Sequence, residues 1–112
     1  MKEIRAIIRP EKLHDVLEAL DKVGHPGVTV TRIEGHGRQA GLVEQFRGRE
    51  YRVELLPKVK LEIVCQEEEV ESLTRTIAEA ARTGEIGDGK IFVYDVLDAM
   101  RIRSGEKGKE AV

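Results

Sequence analysis

An α+β fold made of two β-α-β units is predicted by three observations. Aliphatic or β-branched residues alternate at residues 4–8, 28–33, 59–65 and 91–96; two amphipathic helical stripes lie between these runs; and the order is strand, helix, strand, a long patternless stretch, then strand, helix, strand. This is the order of the ferredoxin-like βαββαβ sandwich, in which right-handed crossovers put both helices on one face of an antiparallel sheet. The 112 residues suffice for one domain spanning 1–112, and 40% hydrophobic residues with two Phe, two Tyr and no Trp give it an aliphatic core.

Ile4, Ala6 and Ile8 alternate with Arg5, Ile7 and Arg9, a strand with one aliphatic face and a second, partly apolar one. Pro10 ends it and suits the first turn of a helix. Leu13, Val16, Leu17, Leu20 and Val23 follow helical spacing until Gly24 and the turn Pro26-Gly27. Val28, Val30 and Ile33 lie in a β-branched strand that runs into Gly35-His36-Gly37. From Lys58 onward Val59, Leu61, Ile63 and Cys65 alternate with Lys60, Glu62 and Val64; then Val70, Leu73, Ile77 and Ala80 or Ala81 mark a second helix that stops at Gly84. Residues 91–96 form the last strand.

Residues 37–56 lose the pattern and carry Gly41, Gly48 and many charges, which predicts a protruding recognition loop. The polar tail, 104–112, is expected to fray or to fold over a neighbour. A sheet with helices on one face leaves the other bare. Ile7, Val64 and either Phe92 with Val96 or Ile91 with Val93 would point there, and leaving them wet costs about 25 cal/mol per Å². Closed association of identical copies is the expected remedy.

Chemistry concentrates in Thr83-Gly84-Glu85-Ile86-Gly87-Asp88-Gly89-Lys90, where a helix gives way to a strand. Glycines allow positive φ and close backbone approach, so successive N–H groups can converge on an anion while Lys90 adds a full charge. Arg101-Ile102-Arg103, read as extended, places two guanidiniums on one side, where they could reach the same anion. Gly-Asp-Gly is also ordinary turn chemistry, and Arg-x-Arg is often a solvated edge. The spacing Gly-x-x-Gly-x-Gly-Lys is neither the dinucleotide fingerprint nor the Walker sequence, since a strand and not a helix follows.

The formal net charge of −2, from 19 basic and 21 acidic residues, argues against a general nucleic-acid or membrane patch. Cys65 in its apolar run reads as a buried small hydrophobe, which fits a cytoplasmic setting. The charged start Met1-Lys2-Glu3-Ile4-Arg5 does not read as a signal peptide, and no run approaches the roughly 18 apolar residues of a membrane span. His14, His25 and His36 lack the surroundings of a metal site.

Taken together, Ala6-Ile7-Ile8-Arg9-Pro10-Glu11-Lys12-Leu13, Gly37-Arg38-Gln39, Arg47-Gly48-Arg49-Glu50-Tyr51, Leu56-Pro57-Lys58-Val59-Lys60, the stretch from Ala80 through Gly87-Asp88-Gly89-Lys90 to Val93, and Arg101-Ile102-Arg103-Ser104-Gly105-Glu106 resemble the PII family of nitrogen-regulatory signal proteins over nearly the whole chain. The resemblance implies a homotrimer with clefts between subunits that hold ATP or ADP, and 2-oxoglutarate beside the ATP through magnesium. It assigns Gly37, Arg38, Gly87, Asp88, Gly89, Lys90, Arg101 and Arg103 to phosphates and ribose. Thr29 and Val64 fall to the adenine region, Gln39 to magnesium, nucleotide and effector, and Lys58 with Arg9 close behind to the 2-oxo acid. It implies that the 37–56 loop engages an ammonium channel or nitrogen-metabolism enzymes, with Arg47 at the loop tip and Tyr51 matching a tyrosine that some bacteria uridylylate. This chain departs from the pattern at His36, Ala40, Phe46 and Leu42-Val43-Glu44-Gln45, which bears on partner identity and modification more than on the nucleotide site.

Two other classes fit less well. An RNA-recognition module shares the topology, but the first strand has no aromatic on which to stack a base. A small nucleotide-hydrolysing enzyme would need a general base or nucleophile, and none stands out; Asp88 is the carboxylate of the loop and, as a turn residue, suits backbone hydrogen bonding. No enzymatic activity is therefore expected.

Overall fold

The computed structural model describes residues 1–36 and 55–112, together with the backbone of 43–46 and 49–52. Strands β1 (Lys2–Ile8), β2 (Thr29–Gly35), β5 (Leu56–Cys65) and β6 (Gly89–Asp95) form one sheet in the order β2-β5-β1-β6. All three pairings are antiparallel. Helices α1 (Leu13–Lys22) and α2 (Val70–Ala81) follow β1 and β5, so the ferredoxin-like arrangement expected from the pattern is the one observed.

The alternation read along each strand sets which face is buried. Ile4, Ala6 and Ile8 on β1 and Val59, Leu61, Ile63 and Cys65 on β5 are buried against Val16 and Leu20 of α1 and Leu73, Ile77 and Ala81 of α2. Burial pushes the Cys65 thiol above its ordinary pKa, so it behaves as a small hydrophobe. Pro10 opens a short 3₁₀ turn, Pro10–Lys12, ahead of α1. It needs no N–H at that position, and its ring biases Arg9 before it to extended backbone.

Four expectations are revised. The 37–56 segment is not patternless, because β3 (Val43–Phe46) and β4 (Arg49–Arg52) pair as a small antiparallel ladder within it. β5 starts at Leu56 and includes Pro57, two residues earlier than the alternation indicated. β1 pairs with β5 only as far as Val59, so at Pro57 the strand has β2 on one side and the missing N–H disrupts no central ladder.

Arg101-Ile102-Arg103 is a turn and not an extended segment: Gly105 N–H donates to Arg101 O at 2.8 Å and Arg101 N–H to Glu106 O at 2.9 Å. The tail beyond it is folded, with a 3₁₀ turn at Gly108–Ala111 and the Gln66 side-chain amide donating to Lys109 O at 3.0 Å.

The fourth revision concerns the helix-free face, which is mixed and not a bare apolar sheet. Register settles the open choice on β6: Ile91 lies opposite Ala6 and packs on the core, whereas Phe92 lies opposite Arg5 on the open side. Charged residues occupy the centre of that face. Arg5 pairs with Glu3 at 3.2 Å and Glu62 at 3.7 Å, Lys60 reaches Glu62 at 3.6 Å, and the Arg5 guanidinium sits 4.4 Å from the centre of the Tyr94 ring. Val64 and Phe92 remain 36% and 44% exposed beside these charges, so apolar surface persists on this face.

Where β6 begins, backbone touches backbone. A Cβ at Gly89 would lie 1.7 Å from Ile7 O, and Gly89 has φ +104°. Replacing it moves the strand itself. Gly89→Ala is expected to lower the unfolding free energy by at least about 3 kcal/mol in urea titrations. Gly105→Ala, where φ is +76° and the added Cβ meets nothing within 4 Å, is expected to cost about 1 kcal/mol.

Candidate anion-binding site

The loop from Thr83 to Lys90 leaves α2, turns through Gly84 (φ +91°) and Gly87 (φ +104°), and enters β6 at Gly89. Its shape is held by its own carboxylate. Asp88 Oδ2 accepts the N–H groups of Thr83 and Gly84, both at 2.9 Å, and Oδ1 accepts the Thr83 hydroxyl and Arg9 Nε, the latter at 3.0 Å. The Thr83 hydroxyl and N–H, together with Arg9 and Gly84, hold the Asp88 carboxyl far below the ordinary carboxylate range. A carboxylate has about four lone-pair sites, and four donors occupy them here.

Two cations brace the loop from the sheet. Arg9, just past β1, also donates from Nη2 to Ile86 O at 2.8 Å, and its side chain is 14% exposed. Lys58 on β5 donates from Nζ to Gly87 O at 2.7 Å. Burial, with the Arg9 charge beside it, lowers the Lys58 pKa from its ordinary 10.5. The stem of Lys58 lies against the end of β2, where a Cβ added to Gly35 would sit 3.3 Å from Lys58 Cγ. Gly35 pairs with Leu56 at the root of the 37–56 segment. Lys58 therefore touches both the glycine loop and the root of the long loop.

Lys90 follows on the open face, opposite Ile7, and is exposed. Thr29 pairs with Glu62 on the same face, two residues along β5 from Val64, so Thr29 and Val64 are close neighbours. Val64 pairs with Glu3 and Lys90 with Ile7, which separates them by four residues along β1, about 13 Å. Behind the loop, a cleft of about 260 Å³ between the end of α2 and the start of β6 is lined mainly by apolar groups such as Ile77, Ala81 and Ile91.

Arg101 and Arg103 lie elsewhere. They follow the far end of β6, about 20 Å along the strand from Gly89. Arg101 is bonded there to Glu106 at 3.2 Å and Ala111 O at 3.4 Å, and the tail is tied to Gln66 just past β5. The two arginines therefore cannot join Lys90 on one anion within a single chain. Gly37, Arg38, Gln39 and Arg47 lie outside the described residues, and Tyr51 is placed only by its backbone, opposite Glu44 in β4. Among the described residues no cluster of three or more His, Cys, Asp or Glu gathers as a metal site, and no helix is long and apolar enough to cross a membrane.

The principal residue missed in the sequence is Thr83. A hydroxyl five positions before an aspartate, across two glycines that can reverse the chain, was the available signal.

Fold and site together define a ferredoxin-like domain whose chemistry gathers at one glycine loop. The sequence matches the family described as nitrogen regulatory protein P-II over residues 1–106. Nitrogen regulatory protein P-II 2 of Methanothermobacter thermautotrophicus is 56% identical over 112 residues, covering 100% of this chain and 97% of that protein. Nitrogen regulatory protein P-II of Rhodospirillum rubrum is 54% identical, covering 100% of both. A crystal structure of Arabidopsis thaliana PII bound to citrate superposes with a TM-score of 0.80 at 43% identity, covering 99% of this chain and 91% of that one. The chain belongs to the P-II family of nitrogen regulatory proteins.

The Asp88 network carries a pH signature. Its folded pKa lies well below the ordinary 3.8, so its stabilisation is fully present above 3.8 and is lost as pH falls toward the folded value. In urea titrations, the parent's advantage over Asp88→Asn is expected to be constant from neutrality to about pH 5 and to shrink progressively below pH 4.

Proposed function

We propose that this protein is a trimeric signal-transduction protein that binds ATP or ADP and 2-oxoglutarate in clefts between subunits and reports occupancy through the 37–56 loop. The observation that carries this reading is the separation of its cations. Lys90, Lys58 and Arg9 gather at one end of the sheet, Arg101 and Arg103 at the other. Two copies side by side would complete what neither holds alone, with the N–H groups of Gly87 to Lys90 from one subunit and the arginines from the next. Gly37 and Arg38 would add to the phosphate contacts, and Thr29 and Val64 would border the base. The Arabidopsis relative is bound to citrate, a multivalent carboxylate, which supports small anionic ligands in this fold.

Lys58 is the natural receiver of a 2-oxo acid. It is partly desolvated, so an incoming carboxylate meets a cation poorly shielded by water, and Arg9 reinforces it. Gln39 would offer its amide oxygen to a magnesium ion, which would supply charge neutralisation beside the phosphates. Moving Lys58 from Gly87 O to an effector changes the group packed against Gly35, and the loop root with it. A ligand that prefers one of these arrangements shifts the loop between shapes that partners distinguish. The partners fitting a nitrogen regulator are an ammonium channel or nitrogen-metabolism enzymes, with Arg47 and Tyr51 in the contacting segment and Tyr51 a possible site of modification. The reading is cytoplasmic and non-enzymatic, in keeping with relatives named as regulatory proteins.

Lys90→Ala and Arg103→Ala are each expected to weaken ATP binding about tenfold or more in calorimetry. Because the two residues would come from different subunits, co-refolding the two variants should recover parent-like affinity in a fraction of clefts. No recovery would mean that both side chains act from one chain. Lys58→Ala and Gln39→Ala should abolish the effect of 2-oxoglutarate on ATP affinity while changing ADP affinity less than about threefold. Since the Lys58 pKa lies below 10.5, the 2-oxoglutarate effect in the parent should fade as the buffer becomes alkaline.

A further inference from the structure

The four donors on Asp88 change what that residue can do. With both oxygens filled by Thr83, Gly84 and Arg9, its carboxylate has no lone pair left for a magnesium ion. What it can offer a phosphate is its backbone N–H. The residue that supplies two of the four donors is Thr83. Its hydroxyl also accepts the N–H of Glu85 at 3.1 Å, so one side chain fixes the loop on both sides of Gly84. Thr83 stands just after the C-cap of α2, Arg82, whose N–H still donates to Ala78 O at 3.0 Å. It therefore transmits the position of a rigid helix to a loop whose glycines would otherwise leave it free to flex.

We propose that Thr83 is a positioning residue for the nucleotide site: its hydroxyl, acting through the Asp88 carboxylate, holds the N–H groups of Gly87 to Lys90 in the arrangement that receives a phosphate. This rests on the nucleotide-binding reading above. The reason is preorganisation. Backbone donors aimed in advance lose little freedom when the anion arrives, whereas a loop released from its staple must be ordered at the expense of binding. Thr83 itself touches no ligand in this scheme. Arg9 contributes the fourth donor but also serves the effector side, so the Thr83 hydroxyl is the part of the staple that can be removed alone.

Thr83→Val removes the hydroxyl at nearly constant shape, and Thr83→Ser keeps it. Three readouts are compared in the full-length protein: ADP affinity by calorimetry, the backbone amide resonances of Gly87 to Lys90 without nucleotide, and the pH titration of the Asp88 carboxyl carbon. In Thr83→Val, ADP affinity is expected to fall about tenfold, the amides to shift, and Asp88 to titrate closer to its ordinary 3.8. Thr83→Ser should restore all three. An unchanged urea midpoint would show that the fold is intact. Parent-like ADP affinity in Thr83→Val, or a serine variant as weak as the valine one, overturns the proposal. If the parent binds no ADP, the nucleotide reading fails separately. The staple is then judged on the amides alone: unmoved resonances in Thr83→Val would refute it, and shifted ones that serine restores would sustain it.

Discussion

The ion pair between Arg9 and Asp88 joins the end of a central strand to the loop on which the site depends. Arg9 precedes Pro10, which biases it to extended backbone and ends β1 there. Its guanidinium reaches Asp88 and Ile86 O from a largely buried position. Asp88 in turn closes the loop on itself. Without the guanidinium, a carboxylate fixed by neutral donors would stand unbalanced. Without the carboxylate, the Arg9 charge would act on Lys58 with less compensation; the Lys58 pKa is already lowered, first by burial and then by Arg9, with Asp88 opposing the shift. Glu11 also stands beside Arg9, at 4.0 Å, so Asp88 and Glu11 together offset the charges of Arg9 and Lys58 at this end of the sheet.

The same contacts tie the glycine loop to the root of the long loop. Lys58 lies between Gly87 and Gly35, so the loop that would hold an anion and the root of the long loop share one side chain. Gly89 acts by a different route: its missing side chain lets β6 begin against the Ile7 carbonyl, opposite Ile8. Among the described residues, Lys58 is thus the side chain shared by the glycine loop and the Gly35 end of β2.

Much of the fold was legible because burial on one face imposes a period that survives in sequence. Val59, Leu61, Ile63 and Cys65 alternate since the sheet has one dry side, and Leu73, Ile77 and Ala81 recur at helical spacing for the same reason. The small ladder β3–β4 was not legible, since its strands are four residues each, too short to establish a period, and β4 is mostly charged. Arg101-x-Arg103 misled because alternation has meaning only in extended backbone; the turn closed by Gly105, whose φ is +76°, removes that premise. The open face misled for a related reason. Ile7 and Phe92 were visible as apolar residues, but the pairing of Arg5 with Glu62 across strands exists only once register is set.

By itself the sequence determined the elements, their order, the aliphatic core and the glycine loop, because these depend on local backbone preference and on the periodicity of burial. Tertiary structure alone decided which charges meet: that Asp88 spends its carboxylate on Thr83, Gly84 and Arg9, that Lys58 bridges two loops, and that the arginines lie at the opposite end of the sheet from Lys90. Those partners are up to 79 positions apart. Electrostatic contact falls off with distance in space and not along the chain, so folding had to bring them together before their chemistry could be read.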